Sequence, residues 1–219
     1  MNLVHKVAQD TFDGVAIVET PEELVNIHRL GCSAAIWRRT PLHEFQTWID
    51  TLEADVLPTA RMILKPERVH AALVDLIHIC GTPDCRECHM LSGDIAAMAA
   101  LFAEVMGVDY LRLNLGAPLN CDLRGFHVDA VTARLVCTYR GAGTQYGKSV
   151  RGREPESYSN VPTGSPIILR GKLWPKPSAT NILYRTPPFQ DPNETRLQLV
   201  LEPVMDLEVG PANTPKTIH

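Results

Sequence analysis

The chain has 219 residues, 45 % of them hydrophobic and 21 % charged, with a formal net charge of −4. This size and balance fit one globular domain with its own core. An acidic chain lacks the basic face of a nucleic-acid binder, and no stretch is expected to be long and apolar enough to span a bilayer. Residues 1–6 lack the basic-then-apolar order of a signal peptide, so the expected location is cytoplasmic. In that compartment Cys32, Cys80, Cys85, Cys88, Cys121 and Cys137 read as thiols or metal ligands rather than disulfides.

Residues 1–108 are expected to form a helical N-terminal region. Thr20-Pro21-Glu22-Glu23 has the N-cap, first-turn proline and acids of a helix start, with Gly31 as its stop. Ala34-Ala35-Ile36-Trp37 is short and apolar, as a buried strand would be. Thr40-Pro41-Leu42-His43-Glu44 opens a second helix to about residue 57, and Pro66-Glu67-Arg68 opens a third with Val69, Leu73, Leu76 and Ile77 as its stripe. A fourth is expected from Leu91 to Met106, ending at Gly107.

Residues 109–204 change period. Tyr110-Leu111-Arg112-Leu113-Asn114-Leu115 alternates, as do Ala133 to Tyr139 and Arg196 to Leu201. Ile167 to Arg170 and Ile182 to Tyr184 add short strands between Gly/Pro turns. Helices first and strands later predict an α+β fold, with the helical region packed on a double-stranded β-helix, or jelly-roll, core. Residues 147–163 read as a mobile polar loop and 205–219 as a tail, all within one folded domain.

The chemistry-bearing motif is His127-Val128-Asp129. On a strand, residues i and i+2 share a face, so one imidazole and one carboxylate can grip a single metal ion. They would supply most of the 2-His-1-carboxylate face used by non-haem iron oxygenases. The alternative is a buried hydrogen-bonded pair.

The run from Cys121 through Thr138-Tyr139-Arg140-Gly141-Ala142-Gly143-Thr144 resembles the signature of a bacterial family, domain of unknown function 1826. Ala35-Ile36-Trp37-Arg38-Arg39, Pro162-Thr163-Gly164 with Leu169 to Trp174, and Tyr184-Arg185-Thr186-Pro187 followed by Arg196-Leu197 resemble its other motifs. More distantly, a His-x-Asp pair followed by a distal ligand and an arginine is similar to the Fe(II)/2-oxoglutarate oxygenases. That resemblance implies iron on His127 and Asp129, and Arg196 on the far carboxylate of 2-oxoglutarate. Tyr184 stands where the family carries its distal histidine. It either ligates the metal, leaves that position to water, or marks a site that does not turn over. Arg134 reads as a structural ion pair or a cofactor- or substrate-binding group, and Tyr139 as core or a further cofactor contact.

Cys80-Gly81-Thr82-Pro83-Asp84-Cys85-Arg86-Glu87-Cys88-His89 is a second constellation. Cys80, Cys85, Cys88 and His89 have zinc-ligand character, and Cys85 to His89 fits the Cys-x-x-Cys-His pattern of c-type haem attachment. Free thiols at a helix junction are the plain alternative. Gly141 to Thr144 is no phosphate loop, since it lacks the Gly-Lys-Ser/Thr ending. Two functions follow. One is a metal-dependent oxidoreductase using Fe(II) and 2-oxoglutarate on a small-molecule or peptide substrate. The other is a non-enzymatic metal-binding or zinc-homeostasis protein, which the family resemblance implies through an association with zinc-handling GTPases.

Overall fold

Alternating apolar residues build the sheet that organises this molecule. The computed structural model describes residues 12–117, 125–150, 152–175, 181–189, 191 and 194–205. In chain order the elements are β1 (Val15–Val18), β2 (Ala34–Trp37), α1 (His43–Thr51), β3 (Ala60–Leu64), α2 (Val69–Cys80), α3 (Arg86–Met106) and β4 (Tyr110–Gly116). They continue with β5 (Ala133–Arg140), β6 (Gln145–Lys148), β7 (Ser159–Asn160), β8 (Pro166–Arg170), β9 (Ile182–Arg185) and β10 (Leu197–Val204).

A seven-stranded sheet runs β1-β2-β8-β5-β10-β4-β3, and a three-stranded sheet runs β7-β6-β9. All pairings are antiparallel except β1 with β2. His127 extends the small sheet through an isolated antiparallel bridge to Tyr184 in β9.

The two faces of the large sheet have different partners. Leu197, Leu199 and Leu201 of β10, with Leu111, Leu113 and Leu115 of β4, pack against Leu91, Ile95, Met98 and Phe102 of α3. Phe45 and Ile49 of α1 join the same core. The opposite parity faces the small sheet, where Val136, Ile167 and Leu169 meet Tyr146, Ile182 and Tyr184. Gln198, Val200 and Glu202 of β10 therefore point away from the helices, into a cavity between the sheets.

Several expectations change. The first part of the chain is not all helix: β1, β2 and β3 are strands of the large sheet. The segment after Pro21 is a 3₁₀ helix, Glu22–His28, with the Glu23 carboxylate accepting from the Glu19 and Thr20 N–H groups. The second helix ends at Thr51. Residues 147–163 hold the end of β6 and all of β7.

Helix α3 starts at Arg86 rather than at Leu91, which places Cys88 and His89 inside it. Its 21 residues include a stretch of mean hydropathy 1.3, long and apolar enough by composition to cross a membrane. That overturns the expectation that no such stretch exists. Here its apolar stripe is buried in the helix–sheet core. The segment 206–219 and Cys121 lie outside the described residues.

Candidate functional site

The bridge between His127 and Tyr184 fixes the site. Each residue's N–H donates to the other's carbonyl at 3.0 Å. The two side chains therefore rise side by side, with ring centroids 5.3 Å apart. They open into a cavity of about 570 Å³ whose polar lining includes Arg134, Thr186, Gln198 and Glu202, with Val136 and Val200 as apolar wall.

Asp129 is held from several sides. The Tyr184 hydroxyl donates to Asp129 Oδ2 at 2.7 Å and accepts the Asp129 N–H at 3.2 Å. Arg134 Nη1 donates to the same Oδ2. Arg134 Nε donates to Glu202 Oε1 at 3.1 Å, and Arg112 Nη1 reaches Glu202 Oε2 at 3.1 Å. Charges thus alternate along Asp129, Arg134, Glu202 and Arg112. Burial by itself would raise the Asp129 pKa. Hydrogen bonds from His127 and Tyr184 and the charge of Arg134 outweigh burial and hold it well below the usual carboxylate range. Burial, then the neighbouring Asp129 charge, push the Tyr184 phenol above its usual value.

The remaining oxygen, Asp129 Oδ1, lies 3.6 Å from His127 Nε2. On the far side of the ring, Nδ1 sits 2.8 Å from the Gly125 carbonyl oxygen. A carbonyl only accepts, so Nδ1 carries a proton, and in the neutral ring Nε2 presents a lone pair. Nε2 and Oδ1 face each other closely enough for a cation to lie between them: a proton, which makes the ring an imidazolium, or a metal ion. Two donors with metal bonds of about 2.1 Å each can span up to about 4 Å, so the pair fits one metal ion. Tyr184 fits a different role, because its hydroxyl is engaged with Asp129 and a raised pKa keeps it a phenol rather than a phenolate ligand.

Two expected cofactor contacts lie elsewhere. Arg196 is 1 % exposed and is not part of the cavity lining. Its Nη1 donates to the Pro187 carbonyl at 2.8 Å, its Nη2 to Glu194 at 2.6 Å, and its guanidinium stacks on Phe189 at 4.6 Å. Among the described residues, its buried Nε finds no hydrogen-bond partner. A charge already neutralised by Glu194 and covered by Phe189 does not fit the carboxylate of a ligand in this cavity. Tyr139 belongs to the helix side of the sheet, where it donates to Asp94 Oδ2 at 2.7 Å. Asp94 also accepts both Nη groups of Arg39, at 2.6 and 2.7 Å.

The cysteine constellation does not converge on a metal. Cys85 caps α3, Cys88 is 1 % exposed in its first turn, and Cys80 ends α2. His89 turns outward to Asp84, 3.0 Å away. Successive helical residues project about 100° apart, which separates Cys88 from His89. Among the described residues, no group of three or more His, Cys, Asp or Glu side chains is placed to hold a metal ion. Neither zinc nor haem finds support there.

Sequence reasoning misses Glu202. The signal is available: it shares the parity of Gln198 and Val200 in an alternating strand, so a buried acid at that point faces the cavity.

The fold is similar to that of a solved dioxygenase. Dioxygenase for auxin oxidation 1 from Arabidopsis thaliana, solved as a 2-oxoglutarate binary complex, superposes with a TM-score of 0.50. The match covers 90 % of this chain and 94 % of that one at 10 % identity, a likeness of fold alone. The rice dioxygenase for auxin oxidation aligns at TM-score 0.43 and 12 % identity, covering 88 % of this chain and 83 % of that one. A putative oxygenase from Shewanella oneidensis aligns at 0.39 and 14 % identity, covering 86 % and 88 %. No curated protein matches the chain in sequence. Residues 18–202 match the family described as "Protein of unknown function (DUF1826)", and the chain belongs to that family.

Proposed function

We propose that this protein is an iron-dependent oxidoreductase of the oxygenase kind, built on a double-stranded β-helix, acting on a small molecule bound between the two sheets. The single observation that carries the reading is His127 Nε2 facing Asp129 Oδ1 at 3.6 Å at the wall of a cavity of about 570 Å³. Strand order supports the jelly-roll description: β8-β5-β10-β4 faces β7-β6-β9, and residue 127 adds the eighth position.

His127 and Asp129 would hold the metal through Nε2 and Oδ1. The chemistry supplied by a ferrous ion held there would be O2 activation. The protein's own residues do the rest. Tyr184 and Arg134 fix Asp129 Oδ2, so that Oδ1 keeps its aim at His127. Val136 and Val200 exclude water from one side of the cavity, while Gln198 and Thr186 offer hydrogen bonds to a substrate. No step is routed through Arg196, because its guanidinium is committed to Glu194 and Pro187.

The test is metal content. Purified protein given Fe(II) anaerobically is expected to retain about one equivalent, and His127→Ala to retain none with an unchanged circular dichroism spectrum. O2 consumption with and without 2-oxoglutarate then identifies the co-substrate. Wild-type protein that takes up no transition metal would reduce the site to a His127–Asp129 ion pair and end the proposal.

A further inference from the structure

The cysteines left over from the metal reading have an arrangement of their own. Cys85 is the N-cap of α3, and the His89 N–H donates to the Cys85 carbonyl at 3.2 Å as the helix's first turn closes. Cys88 is the third helical residue. The Cys85 side chain makes no capping hydrogen bond to the first turn. Residues three apart on a helix have Cβ atoms about 5–6 Å from each other, longer than the about 3.5–4.5 Å of a formed disulfide, so closing the bridge takes a small shift of the extended N-cap residue, which lies outside the helical ladder.

Exposure divides the pair. Cys85 is half-buried and open to a reagent, whereas Cys88 is sealed at 1 % exposure. The loop before them is fixed: Gly81 and Thr82 close the end of α2 through N–H bonds to His78 and Ile77, and the Thr82 hydroxyl donates to the Val56 carbonyl at 2.5 Å. Burial, with the charges of Cys85 and Asp84 added, pushes the Cys88 thiol up to about 11. An accessible thiol at a helix N-terminus, backed one turn later by a buried protonated one, is the division of labour of a Cys-x-x-Cys redox pair.

We infer that Cys85 and Cys88 form a thiol–disulfide exchange site whose substrate is a low-molecular-weight disulfide. The Cys85 thiolate attacks one sulfur of the small disulfide, forming a mixed disulfide and expelling one small thiolate, which takes up a proton. Cys88, losing its proton, attacks Cys85 Sγ. The mixed bond breaks, the Cys85–Cys88 bond forms, and the second small thiol leaves. Two protein thiols are oxidised to one disulfide while one small disulfide is reduced to two thiols. The site lies on the helix side of the large sheet and does not depend on the proposed metal.

The experiment uses the full chain, oxidised glutathione as the probe, and mass-spectrometric mapping after alkylation in denaturant. The expected product is a Cys85–Cys88 disulfide, reversed by reduced glutathione. Cys88→Ser should stall at a glutathione adduct on Cys85, and Cys85→Ser should leave Cys88 unmodified. Cys88→Ala serves if the serine variant does not fold. The inference is overturned if both thiols remain alkylatable, if the bridge formed joins Cys85 to Cys80, if glutathione lands on Cys88 in Cys85→Ser, or if the native protein holds zinc that both substitutions release.

Discussion

Replacing Tyr184 with phenylalanine tests the centre of the site. The ring stays, so no cavity opens in the cluster around Tyr146, Val136 and Ile182. What disappears is one hydroxyl that donates to Asp129 Oδ2 at 2.7 Å and accepts the Asp129 N–H at 3.2 Å. Asp129 is only 11 % exposed at its side chain, so water replaces that donor poorly. A hydrogen bond to a charged group contributes about 1.5–3 kcal/mol. With a urea slope of about 2–3 kcal/mol/M, the unfolding midpoint should fall by about 0.5–1.5 M. Metal should bind more weakly as well, because Oδ1 loses a restraint on its aim. Tyr184→His should do the opposite and tighten metal binding, since it sets a second imidazole directly across the bridge from His127. Urea titration and anaerobic metal titration read both effects. If Tyr184→Phe matches the wild type in midpoint and metal affinity, the phenol is not what positions Asp129, and the reasoning about the site fails.

Two further perturbations probe the frame. Asp94→Asn removes the charge that two Arg39 donors and the Tyr139 hydroxyl share. The side chains of Arg39 and Asp94 keep 20 % and 28 % exposure, so the loss should be about 2 kcal/mol rather than the full value for a sealed pair. Metal uptake should not change, because this cluster lies on the helix face; a variant that also loses metal would contradict the separation of the two faces. Gly143→Ala would put a Cβ 2.0 Å from the Val161 carbonyl oxygen, a backbone atom with no freedom to retreat. A loss of about 3 kcal/mol or more is expected, which lowers the melting temperature by about 6–12 °C in a chain of this size. An unchanged melting temperature would show that the loop between β5 and β6 does not approach β7's flank this closely.

What the sequence displays and what it hides divide along physical lines. The runs from Tyr110 and from Arg196 alternate because one face of each strand meets the helices and the other a cavity. β7 has two residues in a polar stretch and shows no period to read. Helix α3 begins before its apolar run does, so the pattern puts Cys85 in a turn whereas the structure makes it the cap. At the site, His127 and Asp129 are legible because their spacing is local. Arg134 and Glu202 are not legible as Asp129's charge chain, because the register of β5 on β10 joins them across 68 positions of sequence. Arg196 carries the right spacing from Tyr184, yet Glu194, two residues before it, takes the guanidinium.

The contacts that aim Asp129 also set how strongly it can hold a metal. An uncompensated carboxylate offers a full negative charge to a cation. Here Arg134 already lies against Oδ2, and Glu202 and Arg112 balance Arg134 in turn, so the four side chains sum to no net charge. A divalent ion between Nε2 and Oδ1 would add positive charge beside Arg134. The attraction it gains from Asp129 is then offset in part by repulsion from the guanidinium, and Glu202 moderates that repulsion by holding Arg134 back. Glu202→Gln removes the moderating charge without touching either ligand. Metal affinity should therefore drop several-fold, on the order of 1 kcal/mol, with His127 and Asp129 intact. Unchanged affinity in that variant, measured by anaerobic titration, would mean that Arg134 does not oppose the cation and that Asp129 holds it without regard to the chain of charges behind it.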